Sequence, residues 1–169
     1  MNEVVFPQYI VDWMEGLAKI SLKYKEAFEN SRLNRDWLPS RLIKAHASLM
    51  SEMAAAQFLN VYFDPRVDHS MIGTPDLIWN NLTIDVKNTL YKGPTPKLIV
   101  SKEHDEHPNR FDAFLLMRGS ADLTTWWFGG YAWSEEILVP SRLDHSLPWP
   151  AYSMPEDQLH KAMPGGVAI

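Results

Sequence analysis

Pro75-Asp76 and Asp85-Val86-Lys87 set two carboxylates and one amine inside a single short stretch, GTPDLIWNNLTIDVKNT, residues 73–89. Midway stands Asn80-Asn81, a two-residue turn candidate, because asparagine tolerates the positive φ that tight hairpin turns require. A hairpin closed there pairs Trp79 with Leu82, Ile78 with Thr83, Leu77 with Ile84 and Asp76 with Asp85. Directly paired residues share a face, with Cβ atoms about 4.5–5.5 Å apart. Lys87, two residues beyond Asp85, joins that face, whereas Leu82, Ile84 and Val86 point to the other. Facing carboxylates repel one another. Two readings relieve the repulsion: an ordinary solvated ion pair with Lys87, or a hard divalent cation, Mg²⁺ or Mn²⁺, between the oxygens. A register slip of one residue separates the aspartates altogether.

The run Pro75-Asp76, eight intervening residues, then Asp85-Val86-Lys87 resembles the PD-(D/E)xK motif of the restriction-endonuclease-like nuclease superfamily. Such folds usually carry a further acidic residue on a helix before the hairpin. Leu42, Ala45, Leu49, Glu52, Ala56 and Leu59 recur at steps of three and four, placing Glu52 within an apolar stripe of a helix over about 41–60. A carboxylate there is costly unless paired, protonated or metal-bound. The alternative sets Glu52 at the stripe's edge, with Met53 inward. Ala54, Ala55 and Ala56 allow the helix to approach a sheet closely.

The resemblance implies an α/β fold: a single domain with a mixed β-sheet flanked by helices, built on a restriction-endonuclease-like core. It implies metal-dependent hydrolysis of phosphodiester bonds, in DNA above all, with Glu52, Asp76, Asp85 and Lys87 as the catalytic set. Mg²⁺ (or Mn²⁺) is then held by Asp76, Asp85, the backbone carbonyl of Val86 and Glu52. Small cysteine-free members of this kind look like phage-type nucleases acting inside a cell. Two rivals stand beside this reading. One is a non-catalytic module that keeps a nuclease-like core to bind nucleic acid or a protein partner; the other is a DNA-junction resolvase, which acts as a homodimer.

The elements that must hold these residues read as follows. Ile10, Trp13, Leu17, Ile20, Tyr24 and Phe28 predict an amphipathic helix over about 8–30 with that stripe inward. Residues 61–67 (VYFDPRV) predict an edge strand broken at Asp64-Pro65, and Leu98 to Val100 a short strand. SKEHDEHPNR, 101–110, includes His104 and His107 but reads as a solvated charge run. FDAFLLM, 111–117, predicts an interior strand covered on both sides. WWFGGYAW, 126–133, predicts another, with a bulge at Gly129-Gly130, and Ser134 is the expected cap of a short helix. Pro140, Pro148, Pro150 and Pro155 suggest an irregular wrap, closed by a helical turn within 156–163. The whole is one domain, 1–169: an N-terminal helix in 1–38, a core in 41–133 and a C-terminal wrap in 134–169.

Composition sets outer bounds. The 169 residues are enough for one sizeable core, and 46% hydrophobic with 22% charged residues is an ordinary globular balance. Without cysteine there is no disulfide or thiolate metal site. No run reaches the ~18–20 apolar residues of a membrane span, and no signal pattern opens the chain, so a cytoplasmic location without membrane contact is expected. A net charge of −5 opposes general nucleic-acid binding, but the acid is concentrated late in the chain. Lys19 to Lys44 hold seven basic residues against three acidic ones. Arg41 and Lys44 from that run, with Lys92, Lys97, Lys102 and Arg110 after the hairpin, are the candidate phosphate contacts.

Overall fold

The computed structural model describes residues 3–29, 38–65, 74–90, 92–106 and 110–163. Its centre is a five-stranded mixed sheet built from β1 (Glu3–Val5), β2 (Leu77–Trp79), β3 (Leu82–Thr89), β5 (Ala113–Gly119) and β6 (Thr125–Trp133), in the order β1-β6-β5-β3-β2. All neighbours run antiparallel except β3 and β5, which are parallel. The apolar run of β5 lies at the middle of the order and is buried on both faces, as its composition requires.

Two long helices, α1 (Gln8–Glu29) and α2 (Leu38–Leu59), cover one face of this sheet. Small residues bring α2 close: Ala47, Ser51, Ala54, Ala55 and Ala56 are all buried, several of them completely. The Nε2 of His46 donates to the carbonyl of Val11 at 2.9 Å and so locks α2 to α1. Asn60, at φ 53°, ends α2; the Val61 N–H reaches the Ala56 carbonyl and the Asn60 N–H reaches that of Gln57. Val61 therefore belongs to a helix cap, and residues 61–65 form no strand, contrary to expectation. Arg66 and Val67 lie outside the described residues.

Helix α1 is also rotated from its expected setting. Val11, Met14 and Ala18 are buried, whereas Trp13 and Ile20 are 50% and 46% exposed. Ile10 and Leu17 only flank the core.

The second face is covered by a three-stranded antiparallel sheet, β4 (Lys97–Ser101), β8 (Ala151–Pro155) and β7 (Leu143–Asp144), in the order β4-β8-β7. Leu98, Val100, Tyr152 and Met154 from this sheet bury Phe114, Leu116 and Ala132 of the large one. The expected irregular wrap is thus partly a sheet; its prolines stand at β8's last residue and in the connections. The short helix α3 (Ser134–Ile137) begins with Ser134 as its first residue rather than its cap. The Ser134 hydroxyl instead donates to the Phe111 carbonyl, and Glu136 accepts from the Trp133 N–H at 3.0 Å. In β6 the register slips opposite Leu116/Met117, which makes Gly129-Gly130 the expected bulge. Gly130 has φ 127°, and a Cβ there would lie 2.6 Å from that of Leu159.

Candidate active site

Local geometry builds the site from the turn outward. Asn80 and Asn81 have φ of 49° and 66°, the left-handed pair a two-residue hairpin needs. The ladder then runs Trp79 to Leu82, Ile78 to Thr83 and Leu77 to Ile84, and stops there. Asp76 lies just outside it. Rather than continuing the backbone ladder, its Oδ2 accepts the Val86 N–H at 2.7 Å.

Along β3, side chains alternate. Ile84 and Val86 join the core under the helices. Asp85 and Lys87 stand in register with Phe114 and Leu116 of β5, whose side chains pack toward the small sheet. The site face of β3 is therefore the one turned away from α2, the helix that carries Glu52. Glu52 is half-buried at the flank of α2, where its Oε1 accepts from the Ser48 hydroxyl at 3.1 Å. Met53 is half-buried and packs against the core, while Met50, Ser51 and Ala54 fill the buried face. The charge of Glu52 is nonetheless felt at Asp76, just before the edge strand β2.

Electrostatics single out Asp76. Burial, then the charges of Glu52 and Asp85, push its carboxyl well above the ordinary range, against the lowering effect of the Val86 N–H. Asp85 is itself buried, and its Oδ2 is enclosed without a well-directed hydrogen bond. Lys87 Nζ stands 2.6 Å from that oxygen, a charge contact rather than an aligned hydrogen bond. The pair thus combines a carboxyl pushed up by burial and neighbouring charge, a second carboxyl with one oxygen that makes no directed hydrogen bond, and one ammonium.

A residue read from sequence as solvated also belongs here. The segment after β4 is a 3₁₀ helix, Lys102–Glu106, and it turns His104 inward. The imidazole Nε2 lies 3.7 Å from Asp85 Oδ2, and the ring sits edge-on against Phe111 and Phe114. Burial lowers its pKa; Asp85 opposes that and Lys87 reinforces it. The available signal was the alternation of β4, whose buried Leu98 and Val100 aim the following residues onto the large sheet. His107 lies outside the described residues.

The basic candidates are only partly gathered. Lys102 and Arg110 bracket the His104 segment, with Arg110 over the Phe111 ring at 5.6 Å. Lys92 is exposed in the loop after β3. Lys97 is committed to Asp144 at 3.3 Å. Arg41 and Lys44 lie eleven and eight residues before Glu52 on α2, about 16 and 12 Å along the axis, and do not join the site. Lys19 pairs with Glu15 at 2.7 Å; Arg32 and Arg35 lie outside the described residues, as does the side chain of Lys25. A cleft of about 420 Å³, lined by Leu82, Phe111, Asp112, Trp133, Ser134, Glu135 and Leu138, borders the site through Phe111.

Among the described residues, no three His, Asp or Glu side chains form a ready-made metal cage, and no helix is long and apolar enough to cross a membrane. The chain matches no protein-family model, no curated protein and no solved structure.

Proposed function

We propose that the chain is a metal-dependent nuclease of the PD-(D/E)xK type that hydrolyses phosphodiester bonds, with DNA as its substrate. The observation that carries this reading is the Asp76–Asp85 carboxyl pair beside Lys87 at a sheet edge, with Lys87 Nζ 2.6 Å from Asp85 and Asp76 pushed up by burial and by the neighbouring carboxylates. Asp76, Asp85 and the Val86 carbonyl would hold Mg²⁺ or Mn²⁺, with Glu52 completing its surroundings from α2. The unserved Asp85 Oδ2 and the crowding at Asp76 fit such an ion. When bound, it would polarise the phosphate and lower the pKa of water from 15.7 toward neutrality. Lys87, released from sole charge of Asp85, would orient the attacking water and stabilise negative charge on the phosphate. Lys102 and Arg110 would steer the backbone toward the pair.

One rival stands beside it, a binding module that keeps the core without the reaction. Cleavage separates the two. Single-stranded, double-stranded and branched DNA, with RNA beside them, would be incubated with Mg²⁺ and with Mn²⁺. Metal-dependent cleavage is expected, lost in Lys87→Ala while nucleic-acid binding changes little. Intact substrates under every condition would replace the nuclease with the binding module.

A further inference from the structure

The small sheet delivers a nitrogen donor to a site otherwise made of oxygens. His104 arrives from an element that neither the hairpin nor α2 supplies, and its side chain is only 15% exposed. Phe111 and Phe114 hold the ring edge-on at centroid distances of 5.5 and 5.1 Å, so its direction is fixed by packing. Its Nε2 lies 3.7 Å from Asp85 Oδ2, too far for a hydrogen bond. Oxygen and nitrogen ligands reach a small divalent ion at about 2.1 Å, so one ion can join two donors up to about 4.2 Å apart. Asp85 and His104 fall inside that limit. Lys87 is the competing cation for the same oxygen.

We propose that His104 is a nitrogen ligand of the ion site and makes it select first-row transition ions over Mg²⁺. This rests on Asp76 and Asp85 being ion ligands. Magnesium prefers oxygen throughout, whereas imidazole favours ions in the rising order Mn²⁺, Co²⁺, Ni²⁺. A purely carboxylate site would discriminate less.

Calorimetric titration of the full chain with Mg²⁺, Mn²⁺ and Co²⁺, without nucleic acid, tests this. Wild type is expected to bind Co²⁺ more tightly than Mn²⁺, and Mn²⁺ more tightly than Mg²⁺. In His104→Gln, Co²⁺ affinity should fall at least about tenfold, while Mg²⁺ affinity stays within about threefold. His104→Phe, which keeps an aromatic ring in the wedge, should behave alike. If neither variant folds, sub-stoichiometric Co²⁺ added to wild type should shift the His104 imidazole resonances. Unchanged Co²⁺ affinity in a folded variant, or an unshifted imidazole, would make His104 a packing residue. If Asp85→Asn also leaves every ion's binding unchanged, or wild type binds none, the carboxylate reading fails and this inference fails with it.

Discussion

Asp76 and Asp144 are driven in opposite directions from the ordinary carboxyl range, and their neighbours explain why. Around Asp144, the Ser146 N–H and hydroxyl donate to Oδ1, while the Ser153 hydroxyl and Lys97 serve Oδ2. Those bonds, led by Ser146, hold its carboxyl far below the ordinary range. They also tie β7 to β8 and β4 across the small sheet. Asp76 receives one backbone N–H but faces two carboxylates in a buried setting, and it is driven the other way. A fold that could satisfy one carboxylate so fully has left the other pair short of donors. The first arrangement ties the strands of the small sheet together; the second is the one proposed to take a cation.

Substitution should separate the two sites most sharply in rate. As an ion ligand of the proposed nuclease, Asp85 would supply several kcal/mol of transition-state stabilisation, so Asp85→Asn should lower cleavage at least about a hundredfold. Asp144→Asn should leave the rate within about twofold, since exposed ion pairs contribute little. Initial rates on one DNA substrate measure both. Equal losses would erase the distinction between a reacting and a structural carboxylate.

The next contrast is in the sign of the pH dependence. Asp76 has a folded-state pKa above its unfolded value, so its contribution to stability is fully present below about pH 3.9 and is lost as pH rises through the raised value. Asp144 has a depressed folded value; its contribution is present above about pH 3.9 and is lost as pH falls. Metal-free Asp76→Asn should therefore lose less stability between acid and neutral pH than wild type. Asp144→Asn should lose less on the acid side. Urea unfolding midpoints across pH would show the two slopes, and slopes of the same sign would contradict these environments.

The contrast also explains what the sequence could reveal. The hairpin is local: Asn80-Asn81 dictates the turn, the turn dictates the register, and the register fixes which side chains share a face. The interior strand β5 and the Gly129-Gly130 bulge were legible for similar reasons. The small sheet was not, because β4 pairs with β8 across more than fifty residues and the intervening prolines resemble a coil. With it went the setting of His104 and the side on which Asp85 emerges. For α1, Ile10-Trp13-Leu17 and Val11-Met14-Ala18 both satisfy helical spacing; contact with α2, including His46 on Val11, chose the second. Glu52 was placed on the right helix, but its flank position depends on that same packing.

The claim that the carboxylate pair lacks a cation is tested most directly by thermal unfolding with and without Mn²⁺. At a hundred times its dissociation constant, Mn²⁺ should stabilise wild type by roughly 2.7 kcal/mol. Glu52→Gln should keep a reduced shift, because Glu52 acts from the flank. Metal-free Asp85→Asn should be at least as stable as metal-free wild type and should gain almost nothing from Mn²⁺. A shift of equal size in wild type and Asp85→Asn, or none in wild type, would contradict the account.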